Sequence, residues 1–187
     1  MGLIPLGRVG SRSLGEFFPD EGTPVNAVAA QGVLTIATKA TVGDTFTIDT
    51  TTYTFVAEDA TPTAGQLKIG SDVAGTKTNV LAALKGTDSI NTAHATVTPA
   101  TAWSTNDLTL TAATAGVAGN AIATTETFAA EGNVFDADVL GTEQAGVDGT
   151  VGRKGYMRFD DTYFYVAIDS NTIADANWRR IALGSAY

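Results

Sequence analysis

The sequence predicts a mainly β protein: an antiparallel β-sandwich or sheet body with one short helix, a small C-terminal three-stranded β-unit, and an extended N-terminal arm. Three observations lead there. Residues 32–57, GVLTIATKATVGDTFTIDTTTYTFVA, hold three runs in which apolar and polar residues alternate, the period of strands with one wet face. Residues 72–85 are the one stretch with apolar residues at helical spacing. The 30 threonines, β-branched and hydrogen-bonding, bias the chain further toward extended structure.

In chain order, residues 1–30 carry Leu3, Ile4, Leu6, Val9, Leu14, Phe17 and Phe18 among Gly and Pro with no sustained period, which reads as an arm rather than a domain. An arm with paired phenylalanines is costly in water, so it lies on this chain's body or on a neighbouring subunit. The body spans 31–148. Its first three runs carry Val33, Leu34 and Ile36, then Phe46 and Ile48, then Tyr53, Phe55 and Val56. Turn signals at Val42-Gly43-Asp44 and at Asp49 to Thr51 separate them, and the spacing predicts an antiparallel meander. A short strand over 66–69 follows, then the helix over about 72–85. Ser71 or Asp72 caps it, Val73, Val80, Leu81 and Leu84 line its apolar face, and Gly86 ends it. The helix is expected on one face of the sheet. Further strands are predicted over 96–100, 107–114 and 121–128, the last two joined through the Gly116 to Asn120 turn. Residues 149–187 give three short strands. The first alternates through Tyr156 to Asp160, the second runs from Tyr163 to Ile168 after the Asp160-Asp161-Thr162 turn, and the third is WRRIAL. Such a small sheet is marginal alone, so it is expected to dock on a partner surface.

The composition excludes whole classes of chemistry. Without cysteine there is no disulfide, thiolate metal site or thiol nucleophile. The net charge of −9 repels phosphate backbones and argues against nucleic-acid binding. No run approaches membrane-spanning length and the N-terminus does not read as a secretion signal, so synthesis in a cytoplasm and no membrane partner are expected. The lone histidine, His94, lies in a polar stretch with no nucleophile motif near it and reads as an exposed loop residue. Asp136, Asp138 and Gly141 match part of a calcium loop, but Leu140 and Val147 occupy two of its ligand positions. The acidic pairs Glu58-Asp59 and Asp160-Asp161 sit at predicted turns and are adjacent, a poor arrangement for paired carboxylate catalysis. No phosphate-cradling motif is present. The reading is therefore of a protein without enzymatic activity, metal or cofactor.

Two stretches carry a resemblance. The body, through GDTFTIDTTTYTFVA, LKIGSDVAGTKTNVLAAL, NDLTLTAATAGVAGNAIATTETF and NVFDADVLGTEQAG, resembles a module of tailed-bacteriophage virion proteins. Asp44, Thr47, Ile48, Tyr53, Thr54 and Phe55 carry its hairpin, and Gly116, Gly119, Asn120, Ile122 and Thr124 its turn. The tail, through Asp160, Tyr163, Tyr165, Val166, Asn171, Thr172, Trp178, Arg179 and Arg180, is similar to a strand-turn-strand ending of phage head-decoration and fibre proteins. The resemblance implies a structural component of the virion. The leading expectation is a capsid decoration or cement protein on the capsid surface, bound to the major capsid protein and to itself as a trimer. The alternative is a tail-fibre or receptor-binding accessory protein that recognises host glycan. The expected shell contact is Leu3, Ile4, Arg8, Arg12, Phe17 and Phe18; the expected subunit contact is Tyr156, Tyr163, Tyr165, Trp178 and Arg179.

Overall fold

A computed structural model of the protein describes residues 20–21, 25–149, 156–167 and 178–184, the first two by backbone alone. In chain order the strands are β1 (Asp20–Glu21), β2 (Gln31–Ile36), β3 (Thr45–Ile48), β4 (Thr51–Val56), β5 (Gln66–Lys68), β6 (Val97–Pro99), β7 (Asp107–Ala112), β8 (Thr124–Glu126), β9 (Asn133–Phe135), β10 (Met157–Phe159), β11 (Tyr163–Ala167) and β12 (Trp178–Ala182). One helix, α1 (Val73–Lys85), lies between β5 and β6. By contacts the chain divides into a body, Ala27–Asp148, and a terminal unit formed by Met1–Asn26 with Gly149–Tyr187.

The body is a β-sandwich of two four-stranded sheets, ordered β6-β7-β2-β9 and β5-β4-β3-β8. Alternation along each strand decides its inner face. Leu34 and Ile36 of β2, Leu108 and Leu110 of β7, Val97 of β6 and Phe135 of β9 meet Phe46, Ile48, Tyr53, Phe55 and Leu67 of the other sheet in one buried cluster. The outer faces carry threonines that bond across strands, Thr47 to Thr52 at 2.8 Å and Thr45 to Thr127 at 2.9 Å.

The β3-β4 hairpin forms as its alternation predicts, with Ile48 opposite Thr51. The expected three-run meander does not. β2 pairs with β7 and β9, and Val33 faces outward rather than joining Leu34 and Ile36 in the core. Period two shows which face of a strand is wet, and it is silent about the neighbour. The neighbour is decided by side chains that hold the connection between the layers. The Asn133 side chain accepts the N–H groups of Ala37 and Thr38, and the buried Asp44 carboxylate accepts those of Thr41 and Ala129. The Val42-Gly43-Asp44 signal thus turns the chain into the opposite sheet.

Helix α1 has the predicted punctuation. The Asp72 carboxylate accepts the Gly75 N–H at 2.7 Å, and Gly86 (φ 66°) ends the helix in the left-handed region, its N–H returning to Ala82 and Ala83. Thr76, Val80, Ala83 and Leu84 form the buried face. The helix packs on β5 and β6, the edge strands of the two sheets, and so closes one open side of the sandwich instead of covering a sheet face as expected. Pro99 in β6 is compatible with an edge position, where a missing donor costs nothing in the ladder.

The Gly116 to Asn120 tract folds into a 3-10 turn, Val117–Ala121, and shortens the strand expected over 121–128 to Thr124–Glu126. Gly119 is required there by packing, because a Cβ would stand 2.9 Å from the Ala112 Cβ and 3.0 Å from that of Ala30. Asn120 ties the turn to the end of the body, donating to the Gly146 carbonyl (3.0 Å) and accepting the Gly146 N–H (2.6 Å).

The terminal unit is a four-stranded sheet ordered β1-β10-β11-β12. The three C-terminal strands are antiparallel neighbours, and Asp20–Glu21 adds a fourth, parallel to β10. Asp160 organises the β10-β11 turn: one carboxylate oxygen accepts the N–H groups of Thr162 and Tyr163, each at 2.7 Å, and the other accepts the Tyr165 hydroxyl at 2.7 Å.

Candidate functional site

Register sorts the side chains of the terminal sheet into two faces. Arg158, Tyr165 and Arg180 stand in one cross-strand row, with Tyr163 beside Ala182 and Ala167 beside Trp178 on the same face. Tyr165 and Ala167 are buried, so this is the inner face of the sheet. The opposite face carries Met157, Val166 and Arg179 in one row and Phe159, Phe164 and Ile181 in the next, with Leu183 following in the same alternation. It is apolar apart from Arg179 and open at its margins: Ile181 is 64% exposed, Leu183 48% and Met157 39%, while Phe159, Phe164 and Val166 are half-buried.

The expected subunit-contact residues are therefore divided between faces. Tyr165 is buried with its hydroxyl on Asp160, and Tyr163 packs 6.0 Å from the Tyr165 ring beneath the Arg180 guanidinium, 4.4 Å above its centroid. Trp178 is half-buried on that inner face; Arg179 lies on the open one; Tyr156, just before β10, is 46% exposed. The open face was missed in the sequence because every strand here is short and carries apolar residues at both parities, as in YMRF and YFYV. Pairing Phe164 with the isoleucine of WRRIAL was the signal that separates the parities. The expected shell-contact residues Leu3, Ile4, Arg8, Arg12, Phe17 and Phe18 lie outside the described residues.

A second candidate is a groove of about 300 Å³ in the body, lined by Pro62, Gln66, Leu67, Lys68, Asn79, Asp88 and Ile90. Its polar groups are engaged with one another. Asn79 donates to the Lys68 carbonyl at 2.9 Å, and Asn91 donates to the Gln66 carbonyl at 3.0 Å and to Asp88 at 2.7 Å. These bonds seal the outer side of the edge strand β5. Burial acts most strongly on Asp88 and would raise its pKa, but the Asn91 and Ile90 bonds together outweigh it and hold the carboxyl below its ordinary value. An acid kept ionised and fully bonded is a structural anchor rather than a proton-transfer group at neutral pH.

His94 is half-buried rather than exposed, with Nε2 3.2 Å from the Ile48 carbonyl and the Tyr53 ring 6.1 Å away. Burial pushes the Tyr53 hydroxyl up to about 12, helped by the Asp88 charge. Burial is also the main influence on His94 and lowers its pKa below 6.5, against smaller opposing effects of the Ile48 carbonyl and Asp49. The unfolded chain then binds a proton that the folded chain resists. This stability contribution is present above the unfolded pKa and is lost as pH falls through and below it. Urea unfolding between pH 7.5 and 5 is expected to show falling stability, and His94→Asn should flatten that slope; an equal slope in the variant would remove His94 as its source.

The remaining acids are turn and tether groups. Asp136 accepts the Val33 N–H at 3.0 Å and the Thr142 hydroxyl at 2.5 Å, while Asp138 is exposed. Among the described residues no group of three or more His, Asp or Glu side chains is placed to hold a metal ion, and no helix is long and apolar enough to cross a membrane. Compared with protein-family models, curated proteins and solved structures, the chain matches none.

Proposed function

We propose that the chain is a non-enzymatic structural protein of a tailed-bacteriophage particle, a decoration or cement protein on the capsid surface that binds the major capsid protein and associates with itself as a trimer. The observation that carries this reading is the row of exposed apolar side chains on the terminal sheet, Met157, Ile181 and Leu183, in a chain whose acidic sandwich spends its polar side chains on its own turns and edges. The body's resemblance to phage virion modules supplies the particle. The mechanism is area burial: about 25 cal/mol per Å² of apolar surface, repeated over many copies, reinforces an assembled shell. The glycan-recognising alternative has less to draw on, because Tyr163 is covered by Arg180 and Tyr165 is buried.

The test is co-sedimentation with purified shells, comparing the full chain with a truncation that lacks residues 1–18 and keeps the Asp20–Glu21 strand. The full chain should bind and the truncation should not, with circular dichroism unchanged. Binding retained by the truncation removes the arm as the shell contact; no binding by the full chain removes the cement reading.

A further inference from the structure

We infer that residues 87–96, the connection from α1 to β6, form a strap over the edge strand β5 that is pinned by neutral His94 and released when its ring takes up a proton. Hydrogen bonding fixes the tautomer. A backbone N–H can only donate, so the Thr96 N–H, 3.3 Å from Nδ1, leaves that nitrogen unprotonated and puts the ring proton on Nε2, 3.2 Å from the Ile48 carbonyl. A second proton has one place to go, Nδ1, where it meets the Thr96 N–H donor to donor. The neutral ring fits this site and the imidazolium does not.

The strap is fastened to the helix end, to the β3-β4 hairpin and to β5. At the helix end the His94 N–H bonds the Leu84 carbonyl at 2.9 Å, and a Cβ on Gly86 would stand 2.3 Å from the Ala93 nitrogen. At the hairpin the imidazole itself is the fastening. Along β5, Asn91 completes the edge as an added strand would, donating to the Gln66 carbonyl at 3.0 Å and accepting the Gly65 N–H at 2.8 Å. Asp88 holds the bend between these points by accepting the Ile90 and Asn91 N–H groups, and Ser89 stands there at φ 65°, a left-handed conformation unfavourable for a residue with a side chain. Asp88 and Ile90 of the strap also line the groove together with Gln66, Leu67 and Lys68 of β5. Losing the His94 pin therefore widens the groove and bares the Gln66 carbonyl and the Gly65 N–H.

The surrounding charges leave the ring as the trigger. Tyr53 of β4 and Asp49 of the β3-β4 turn face it, and Asp88 of the strap acts on Tyr53. Lys85, in the last helical turn, sends its ammonium to the Thr101 carbonyl at 3.1 Å, and β6 carries no titratable side chain. The Tyr53 hydroxyl, pushed up to about 12 by burial and then by Asp88, stays neutral. The Asp88 carboxyl, where burial is outweighed by the Asn91 and Ile90 bonds together, stays ionised in mild acid. Burial disfavours the charged His94 ring more strongly than the Ile48 carbonyl and Asp49 favour it, so the proton goes preferentially to the released, solvated ring. Release is thus resisted above the ordinary imidazole value of 6.5 and grows as pH falls below it. The device belongs to the fold of the body and does not depend on the particle reading.

Hydrogen exchange of the full-length protein at pH 7.5 and pH 5, corrected for the intrinsic rate at each pH and repeated in low urea, tests this. Protection of the Gly65, His94 and Thr96 N–H groups should fall severalfold at the lower pH, up to about 30-fold if the closed strap never takes up the proton. Their exchange at pH 5 should be nearly independent of urea, because a strap opening exposes little surface. The Ile36 and Ala112 N–H groups, bonded to the Asn106 and Ala30 carbonyls at the two ends of the β2-β7 pairing, should stay better protected and keep the steep urea dependence of whole-body unfolding. The fall should share its midpoint with the His94 ring titration read by NMR. His94→Gln, whose amide donates to the Ile48 carbonyl without titrating, should keep the strap closed at both pH values; if that variant does not fold, the shared midpoint in the wild type decides. Strap groups that exchange at pH 5 with the protection and urea dependence of Ile36 and Ala112 overturn the inference, since the connection then opens only with the body. Protection kept at Gly65 while His94 and Thr96 loosen overturns it too, because the ring then does not pin the edge. So does a midpoint apart from that of the ring, or an undiminished fall in His94→Gln, either of which assigns the release to another group.

Discussion

Phe46→Ala is expected to lower the unfolding free energy by about 3–5 kcal/mol, the range for removing a large aromatic ring from a packed core. Phe46 is fully buried and touches both layers of the sandwich. Its ring stacks on Tyr53 at 4.9 Å, tilts against Phe55 at 5.9 Å, and meets Phe135 of the opposite sheet edge-on at 6.4 Å. Truncation removes the transfer free energy of the ring and leaves a cavity between two sheets, neither of which can collapse without breaking its ladder. Since domains are stable by roughly 5–15 kcal/mol, this one change consumes about a fifth of the total or more. Phe46→Leu fills most of the space and should cost far less. Urea unfolding followed by circular dichroism reads both; a loss under about 1 kcal/mol for the alanine variant would mean that this ring does not bridge the layers.

Much of this core was legible in the sequence because burial follows local periods. The alternation of TFTI and TTYTFV placed Phe46, Ile48, Tyr53 and Phe55 on one face, and Asp72 and Gly86 bounded the helix to within a residue. Partnership was not legible. Gln31 to Ile36 could pair on either side with any strand of matching length, and its partners Asp107–Ala112 and Asn133–Phe135 lie far along the chain. The three residues of β9 are too few to show a period, so NVF was read only as part of a resemblance. The candidate site failed for a related reason: parity in YMRF and YFYV has meaning only once the register with WRRIAL is known, and register is a property of the assembled sheet. His94 was misplaced because its neighbours in sequence are polar while its neighbours in space are Ile48 and Tyr53.

Division of labour follows from these placements. The sandwich spends its polar side chains on its own connections, through Asp44, Asn79, Asn91, Asn120 and Asn133. The terminal sheet instead leaves Met157, Ile181 and Leu183 of one face exposed.

The polar tether whose loss should cost most is Asn133. Its side chain is 6% exposed and makes four hydrogen bonds: Oδ1 accepts the Ala37 N–H (2.9 Å), the Thr38 N–H (3.0 Å) and the Thr38 hydroxyl (3.2 Å), and Nδ2 donates to the Thr38 carbonyl (3.1 Å). These bonds hold the chain where it leaves β2 for the opposite sheet. Asn133→Ala leaves the two N–H groups without their acceptor and opens a gap too small to hydrate them well, so a loss of about 2–4 kcal/mol is expected from the unsatisfied donors together. Asn133→Asp keeps an acceptor for both N–H groups, which a charge strengthens, but it turns a second oxygen toward the Thr38 carbonyl and buries a carboxylate. Its loss should be smaller near neutral pH. The two variants separate a specific tether from simple filling of space: Asn133→Leu conserves volume without any acceptor, and if it were as stable as the wild type, the hydrogen bonds would not be what directs the chain between sheets. Amide exchange supplies the local reading, since Ala37 and Thr38 should lose protection in the alanine and leucine variants and keep most of it in the aspartate variant.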